Sequence, residues 1–238
     1  MVRSMSAQIF KSEDRGKNES EIFTRFSTFN FDDYSNDSRK PFGALQVIND
    51  ETIGEKNKIF RHIEDNTEII IIPLFGALVY KDSLGNEDII ETEQIRILSA
   101  EKGMSYELLN PYPDGLVNYL QIWINPKEGT FKSKSIQSVL PFSRKNTLFP
   151  LFTNANDEFP SLQQEACGCI GIYENKKEGK YKLANSEHGI FAFVISGTFE
   201  FEDRLIETKD GLSISGISEV TFEALSENAV LLVFEIPL

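Results

Sequence analysis

Histidine and cysteine are both scarce in this 238-residue sequence, which contains two of each. Because a three-histidine metal centre needs three imidazoles, composition alone excludes such a centre. His62 and His188 lie far apart in the sequence, and we do not expect them to share a site. Cys167 and Cys169 are separated by one residue, a spacing at which a disulfide would be strained. We therefore interpret the two cysteines as small buried residues rather than as part of a disulfide scaffold.

Positive charge and long apolar runs are also in short supply. The chain has 24 Lys and Arg residues against 37 Asp and Glu residues, which gives a net charge of −13. Such a surface repels phosphate backbones, so we expect no direct nucleic-acid binding. No apolar segment is long enough to span a membrane, and residues 1–25 lack the apolar core of a signal peptide. These absences predict a cytoplasmic protein without a membrane partner.

The sequence does contain short apolar or alternating runs separated by turn residues, a pattern typical of β-strands. No segment carries a long 3.6-residue period, so any helix is expected to be short. Residues 11–20, which are polar and charged, are expected to form a mobile or turn-rich segment. Strands are predicted at 42–48, 68–74, 77–81, 88–91, 94–99, 104–110 and 116–124, and again at 166–174, 181–184, 189–195, 198–202, 211–215, 220–224 and 230–235.

The second half of the chain repeats the pattern of the first. Residues 69–82 align with residues 190–203, and in both copies an apolar strand meets a glycine, Gly76 or Gly197, before an alternating strand follows. Residues 120–124 align with residues 232–236 as a closing apolar strand. A repeat of this length indicates a duplicated domain, and two small antiparallel barrels of the jelly-roll type satisfy the pattern.

Several strings, in the same order along the chain, resemble the pirin family of the cupin superfamily. They are FSTFNFDDY at 26–34, FGALQVIND at 42–50, GALVYKDSLGN at 76–86 and LQIWINP at 120–126. The resemblance implies an all-β bicupin, a chain of two tandem cupin barrels. The expected domains are an N-terminal arm at 1–22, an N-terminal cupin barrel at 23–135 and a C-terminal cupin barrel at 136–238.

The resemblance also implies where a metal would bind. Pirins and the similar quercetinases typically hold iron or another divalent metal in the first barrel with an H-P-H pattern and a later H-x-E pattern. The first pattern falls on His62 and Glu64, so the second histidine is replaced. The later pattern falls on Tyr106 and Leu108, so its histidine and its carboxylate are both replaced. A divergent site would use His62, Glu64 and Tyr106, with Glu68 as an alternative ligand, and would hold Fe or Mn weakly.

The alternative interpretation is a hydrogen-bonded cluster without metal at the mouth of the first barrel. In that case His62, Glu64, Tyr106 and Leu108 would line a pocket for a small molecule. We favour this non-catalytic interpretation, with a small-ligand, partner-binding or regulatory role and no cofactor. The competing hypothesis is a metal-dependent enzyme that resembles quercetin 2,3-dioxygenase. The second barrel is expected to bind no metal, because its counterparts of the ligand positions fall near Leu183 and Asn185.

Overall fold

A computed structural model describes residues 4–141, 143–155 and 158–238, and the all-β bicupin fold is confirmed. The strands of the first half are β1 Ser6–Phe10, β2 Gly16–Glu19, β3 Phe23–Ser27, β4 Leu45–Ile53, β5 Lys58–His62, β6 Thr67–Phe75, β7 Leu78–Asp82, β8 Glu87–Ile90, β9 Gln94–Ala100, β10 Ser105–Leu109, β11 Val117–Ile124 and β12 Lys134–Val139. Those of the second half are β13 Phe149–Phe152, β14 Cys167–Tyr173, β15 Glu178–Lys182, β16 His188–Ser196, β17 Thr198–Phe201, β18 Arg204–Glu207, β19 Gly211–Ser215, β20 Glu219–Ala224 and β21 Ala229–Pro237. Within the described residues, one 3-10 turn at Ser12–Asp14 is the sole helical element.

Each barrel is formed by a larger and a smaller sheet. In the first barrel a seven-stranded sheet, ordered β12-β9-β6-β11-β4-β3-β2, packs on a four-stranded sheet, ordered β5-β10-β7-β8. In the second barrel a six-stranded sheet, ordered β1-β19-β16-β21-β14-β13, packs on the four strands β15-β20-β17-β18. All of these strand pairs are antiparallel, as expected for jelly-roll barrels.

Successive side chains of a strand point to opposite faces, so one strand can contribute side chains to two cores. On β6, Ile69 and Ile71 point into the first barrel, whereas Ile70 and Ile72 point towards the second barrel. On β16 the same division separates the side chains that fill the second barrel from Phe191 and Phe193, which join the core between the barrels. Because both faces of these strands are buried, they are continuous apolar runs rather than alternating ones.

The N-terminal segment from residue 4 to residue 22, expected to be an arm, pairs with the sheets of both barrels. Within it, the segment 11–20, expected to be mobile or turn-rich, contains the 3-10 turn and β2. β1 pairs with β19 and thereby extends the larger sheet of the second barrel, although it precedes the first barrel in sequence. Phe10 is buried and packs edge-to-face on Phe29, at a ring distance of 5.3 Å. Lys11 Nζ lies 2.8 Å from Asp210 Oδ2, and the Ser12 amide donates to Asp210 Oδ1 at 2.7 Å. Apolar burial and this charged anchor hold the start of the segment against both barrels.

The predicted boundary between residues 135 and 136 falls inside β12, which pairs with β9 of the first barrel. Across the part of the chain that the structure describes, no helix has the length and apolar character needed to cross a bilayer.

Candidate functional site

The four residues expected to line one site in the first barrel are not brought together. On β5, Arg61 lies opposite the buried Tyr106 of β10, so both side chains face the interior of the barrel. His62 lies opposite Ser105 and faces outward, and Glu64 follows the end of β5 at an exposed position. The predicted cluster of His62, Glu64 and Tyr106 is therefore wrong, because the alternation of the strand turns its histidine away from the tyrosine.

Glu68, the expected alternative ligand, lies on the other face of its strand. It shares that face with Ile70, towards the core between the barrels. Ser99 Oγ donates to Glu68 Oε1 at 2.8 Å, and the Gln163 amide donates to Oε2 at 3.1 Å. Burial raises the pKa of the Glu68 carboxyl above its ordinary value, and these hydrogen bonds partly oppose the rise. Glu68 therefore has its own partners and does not face the interior of the first barrel.

The interior of the first barrel holds a buried ion pair instead. Arg61 Nη2 donates to Glu51 Oε1 at 2.9 Å, and the Glu51 side chain is completely buried. Tyr119, which lies directly across from Glu51 on β11, donates its hydroxyl to Oε2. Gln121 Nε2 donates to the same oxygen at 3.2 Å. Asn49 Nδ2 also donates to Oε1, at 3.4 Å. A buried carboxylate is costly unless it is paired and hydrogen-bonded, and here one cation and three neutral donors surround it.

Tyr106 joins this network through Gln121. Its hydroxyl donates to Gln121 Oε1 at 2.6 Å, and Trp123 Nε1 donates to the same oxygen at 2.7 Å. Burial raises the pKa of Tyr106 well above its ordinary value. Tyr106 is therefore uncharged at neutral pH, and its hydroxyl donates a hydrogen bond to Gln121.

Below this layer the interior is filled by aromatic and aliphatic side chains. The ring of Tyr80 stacks on that of Tyr106 at 6.0 Å, and the Arg96 guanidinium lies 4.0 Å above the Tyr80 ring. Leu108, on the same face of β10 as Tyr106, is fully buried in this core. The Leu108 side chain contributes packing and no polar atom, as its sequence position implied.

These residues do not fit a divalent metal. Arg61 places a guanidinium in the interior, and its pairing with Glu51 raises its pKa despite the opposing effect of burial. A permanent cation repels a second cation, and Tyr106 would have to lose a strongly held proton to become a ligand. In the described ranges, no group of three or more His, Cys, Asp or Glu side chains is placed to hold a metal ion.

The mouth of the first barrel is a cavity of about 450 Å³. Arg61 and Trp123 lie at its inner side, and the Phe31 ring meets the Trp123 ring edge-to-face at 5.5 Å. His62 and Glu64 do border this cavity, although Tyr106 and Leu108 do not. The opening thus combines aromatic walls with one guanidinium, one imidazole and three carboxylates, which suits a polar aromatic molecule.

The second barrel contains a different buried polar cluster at the corresponding end. The Glu235 carboxylate is buried and accepts the Tyr181 hydroxyl at 2.9 Å. It also accepts the amides of Ala184 and Asn185, at 2.9 and 3.0 Å. His188 Nδ1 lies 3.0 Å from Glu235 Oε1, and its Nε2 lies 3.2 Å from Asn185 Nδ2. Since a carboxylate only accepts, His188 donates from Nδ1, and this cluster is internally satisfied.

Sequence reasoning missed the two residues on which the first site depends. Glu51 lies three residues beyond the strand predicted at 42–48, and Arg61 lies in a stretch with no predicted strand, although both belong to strands in the structure. No local signal marks Glu51 as a buried residue, because it lies between Asp50 and Thr52 in a polar stretch of the chain. The partner could not be found without the register that places β4, β5 and β11 around one interior.

Comparisons with known proteins place these features in context. The pirin family model matches residues 10–124, and the model described as the quercetinase C-terminal cupin domain matches residues 153–236. Quercetin 2,3-dioxygenase of Escherichia coli (strain K12) is 26% identical over 227 residues, covering 95% of this chain and 97% of that protein. The pirin-like protein of Caulobacter vibrioides is 25% identical over 211 residues, covering 86% of this chain and 89% of that protein.

A solved structure has the same fold along nearly the whole chain. The bacterial pirin YhhW from Escherichia coli, in complex with nickel(II), superposes with a TM-score of 0.88 at 22% identity and covers 98% of this chain and 99% of that one. At this identity the likeness concerns the fold alone.

Proposed function

Because the chain belongs to the pirin family of two-barrel cupins, we propose that it binds a small molecule or a protein partner without redox chemistry. The single observation that carries this proposal is the ion pair between Arg61 and Glu51 inside the first barrel. In this proposal the guanidinium supplies the positive charge that a divalent metal would otherwise bring. Glu51 is then the counter-ion of this guanidinium and is not free to become a metal ligand.

The mouth above this pair is the proposed ligand site. Arg61 lines this cavity with 16% of its side chain exposed, and an acceptor on a bound molecule would bind the accessible part of its guanidinium. Phe31 and Trp123 offer aromatic surface beside the guanidinium. A small molecule with a planar ring and an oxygen acceptor matches these two properties.

Metal analysis of protein purified without chelators tests the proposal. We expect iron, manganese and nickel each well below one equivalent, in the wild type and in His62→Ala alike, because His62 faces outward. A stoichiometric metal that disappears in His62→Ala would overturn the proposal. Asn185→Ala, in the second barrel, is a matched control. Its metal content should equal that of the wild type, whichever outcome the wild type gives.

A second candidate function is a metal-dependent oxygenase resembling quercetin 2,3-dioxygenase. The names of the relatives favour it, since five of the six similar curated proteins carry that name or its putative form. Oxygen uptake with quercetin, after incubation with Fe²⁺, Mn²⁺ or Ni²⁺, tests this candidate. Uptake that depends on added metal and is lost in His62→Ala would favour the oxygenase, and no uptake with any metal would remove it.

The partners and location in this proposal follow from charge and composition. With a net charge of −13, the chain is proposed to act without direct nucleic-acid contact and without a membrane. A regulatory protein partner is part of the proposal, and the proposed location is the cytoplasm.

A further inference from the structure

The Phe31 ring stands at the mouth of the first barrel on a loop that is fixed at both ends. Phe29 is buried just before it, and Arg39 is the next buried residue along the chain. The Asn30 amide donates to the Arg39 carbonyl at 2.9 Å and closes the base of the loop. The loop therefore has fixed ends, while Phe31 in its middle borders the cavity.

A tight turn presents the Phe31 side chain to the cavity. The backbones of Phe31 and Tyr34 exchange two hydrogen bonds, at 3.1 and 3.0 Å. Between them Asp32 has a φ of +48°, a left-handed conformation that Asp and Asn adopt more readily than most residues. The Tyr34 ring lies against Gly16, and its hydroxyl donates to the Asp14 carbonyl at 3.0 Å. The backbone of the turn is thus held in place, and rotation about χ1 is the motion left to the Phe31 ring.

Two contacts hold the Phe31 ring across the mouth. On one side it meets the Trp123 ring edge-to-face at 5.5 Å, and on the other the Arg25 guanidinium lies 4.5 Å from its centre. Arg25 of β3 lies opposite Glu51 of β4, so its side chain leaves the inner face of the sheet. Arg25 Nη1 lies 2.6 Å from Asp32 Oδ2, with 5% of the Arg25 side chain and 53% of the Asp32 side chain exposed. Asp32 therefore fixes the guanidinium that holds the ring.

We propose that the Phe31 side chain is a gate on the first-barrel mouth, closed over Trp123 and latched by the ion pair between Arg25 and Asp32. Rotation of the ring away from Trp123 opens the cavity. An aromatic pair and a half-exposed ion pair are each weak, so the open state is a minor population of about 0.1–10% in the free protein. The inference rests on the ligand site proposed for this mouth and adds control of access to it.

Acrylamide quenching of fluorescence tests the gate in the full chain without ligand, because Trp123 is its sole tryptophan. Phe31→Ala removes the gate, and its Stern–Volmer constant should exceed that of the wild type at least about 1.5-fold, because one aromatic cover of the indole is lost. Asp32→Asn removes the charge of the latch and keeps a residue that tolerates the left-handed conformation. Its constant should lie between those of the wild type and Phe31→Ala. Asp33→Asn, an equal change of charge at the next exposed residue, is the matched control and should behave as the wild type.

Salt gives a second measurement that needs no new side chain. Raising KCl from about 0.05 M to about 1 M should increase the quenching constant of the wild type and leave that of Asp32→Asn unchanged, because salt screens the half-exposed ion pair and acrylamide carries no charge. Circular dichroism checks that each variant keeps its fold.

The gate is overturned if Phe31→Ala or Asp32→Asn is quenched like the wild type, or if Asp33→Asn matches Asp32→Asn. An equal effect of salt on the wild type and Asp32→Asn would also overturn it. All of these measurements are made without ligand or metal, so a failed gate is distinguished from a failure of the proposed function, which the metal analysis detects.

Discussion

Replacing Arg61 with methionine tests whether the interior of the first barrel depends on its ion pair. Methionine has a similar length and packs well in irregular apolar space, so the change removes mainly the charge and its hydrogen bonds. The Glu51 carboxylate would then stay buried without its cation. We expect the free energy of unfolding to fall, because an uncompensated buried charge costs far more than a missing surface pair.

The magnitude follows from the geometry of the pair. Arg61 Nη2 and Glu51 Oε1 are 2.9 Å apart, with 16% of the Arg61 side chain exposed and none of the Glu51 side chain. Breaking a buried pair by removing one partner typically costs about 3–5 kcal/mol. Tyr119 and Gln121 continue to donate to the carboxylate, and Arg61 is partly solvated, so the lower part of that range applies. We expect a loss of about 3 kcal/mol in the free energy of unfolding. This loss corresponds to a decrease in Tm of about 6–12 °C for a chain of this size.

Urea denaturation of Arg61→Met, Glu51→Gln and the double variant measures the interaction directly. The free energy of unfolding lost in the double variant should be smaller than the sum of the losses in the two single variants, by about 1–3 kcal/mol. The reason is that the double variant leaves neither charge buried without its partner. Lys58→Met is the matched control on the same strand, since Lys58 pairs with Glu107 at the surface, and its loss should be below about 1 kcal/mol. The reasoning is refuted if Arg61→Met costs no more than Lys58→Met, or if the single losses add without interaction.

Three further predictions concern other buried groups. Glu68→Gln should stabilise the protein at pH 7 but not below the ordinary carboxyl pKa of 4.5. The folded-state pKa of Glu68 is raised, so the stability that its protonated form contributes is lost as the pH rises. Thermal melts across pH check this, and an equal change in Tm at low and at neutral pH would contradict it. Burial raises the pKa of the Cys169 thiol to about 12, so a disulfide reagent at pH 8 should modify this thiol very slowly in native Cys167→Ser protein. In Cys169→Ser protein the remaining thiol is the less buried Cys167, and it should react faster. Equal rates in the two variants would contradict the burial argument. Gly76→Ala should lower the free energy of unfolding by about 1–2 kcal/mol, because Gly76 has a φ of +77° and an added Cβ would lie 3.0 Å from a Val117 methyl. Chemical denaturation measures this loss. An unchanged denaturation midpoint would show that the turn relaxes at little cost.

Much of the fold could be predicted from local pattern. The apolar run at 68–74 and its counterpart at 189–195 were both predicted as strands, and they form β6 and β16 at the centre of the two large sheets. The edge strands were harder to predict. β1 and β5 are short and partly polar, and their pairing with β19 and β10 depends on contacts distant in sequence. Such strands gain their stability from the neighbour they pair with and carry little local signal.

The candidate site was predicted less well than the fold. Tyr106 and Leu108 were expected to line a ligand pocket at the barrel mouth, and the structure places both in the core of the first barrel instead. The sequence pattern placed His62 beside them, although Arg61 is the residue that faces inward. A shift of one residue on a strand exchanges its two faces, and nothing within residues 58–64 decides which face meets the barrel.

The sequence by itself determined that no three-histidine centre can form, since the chain has two histidines, and that the chain is a duplicated all-β protein. These conclusions rest on composition and on a side-chain period, both of which are properties of the chain before it folds. Only the tertiary structure decided what fills the first barrel in place of imidazoles. Cross-strand register brings Arg61 of β5, Glu51 of β4 and Tyr119 of β11 into one interior, and the cost of burying a lone carboxylate makes their pairing obligatory.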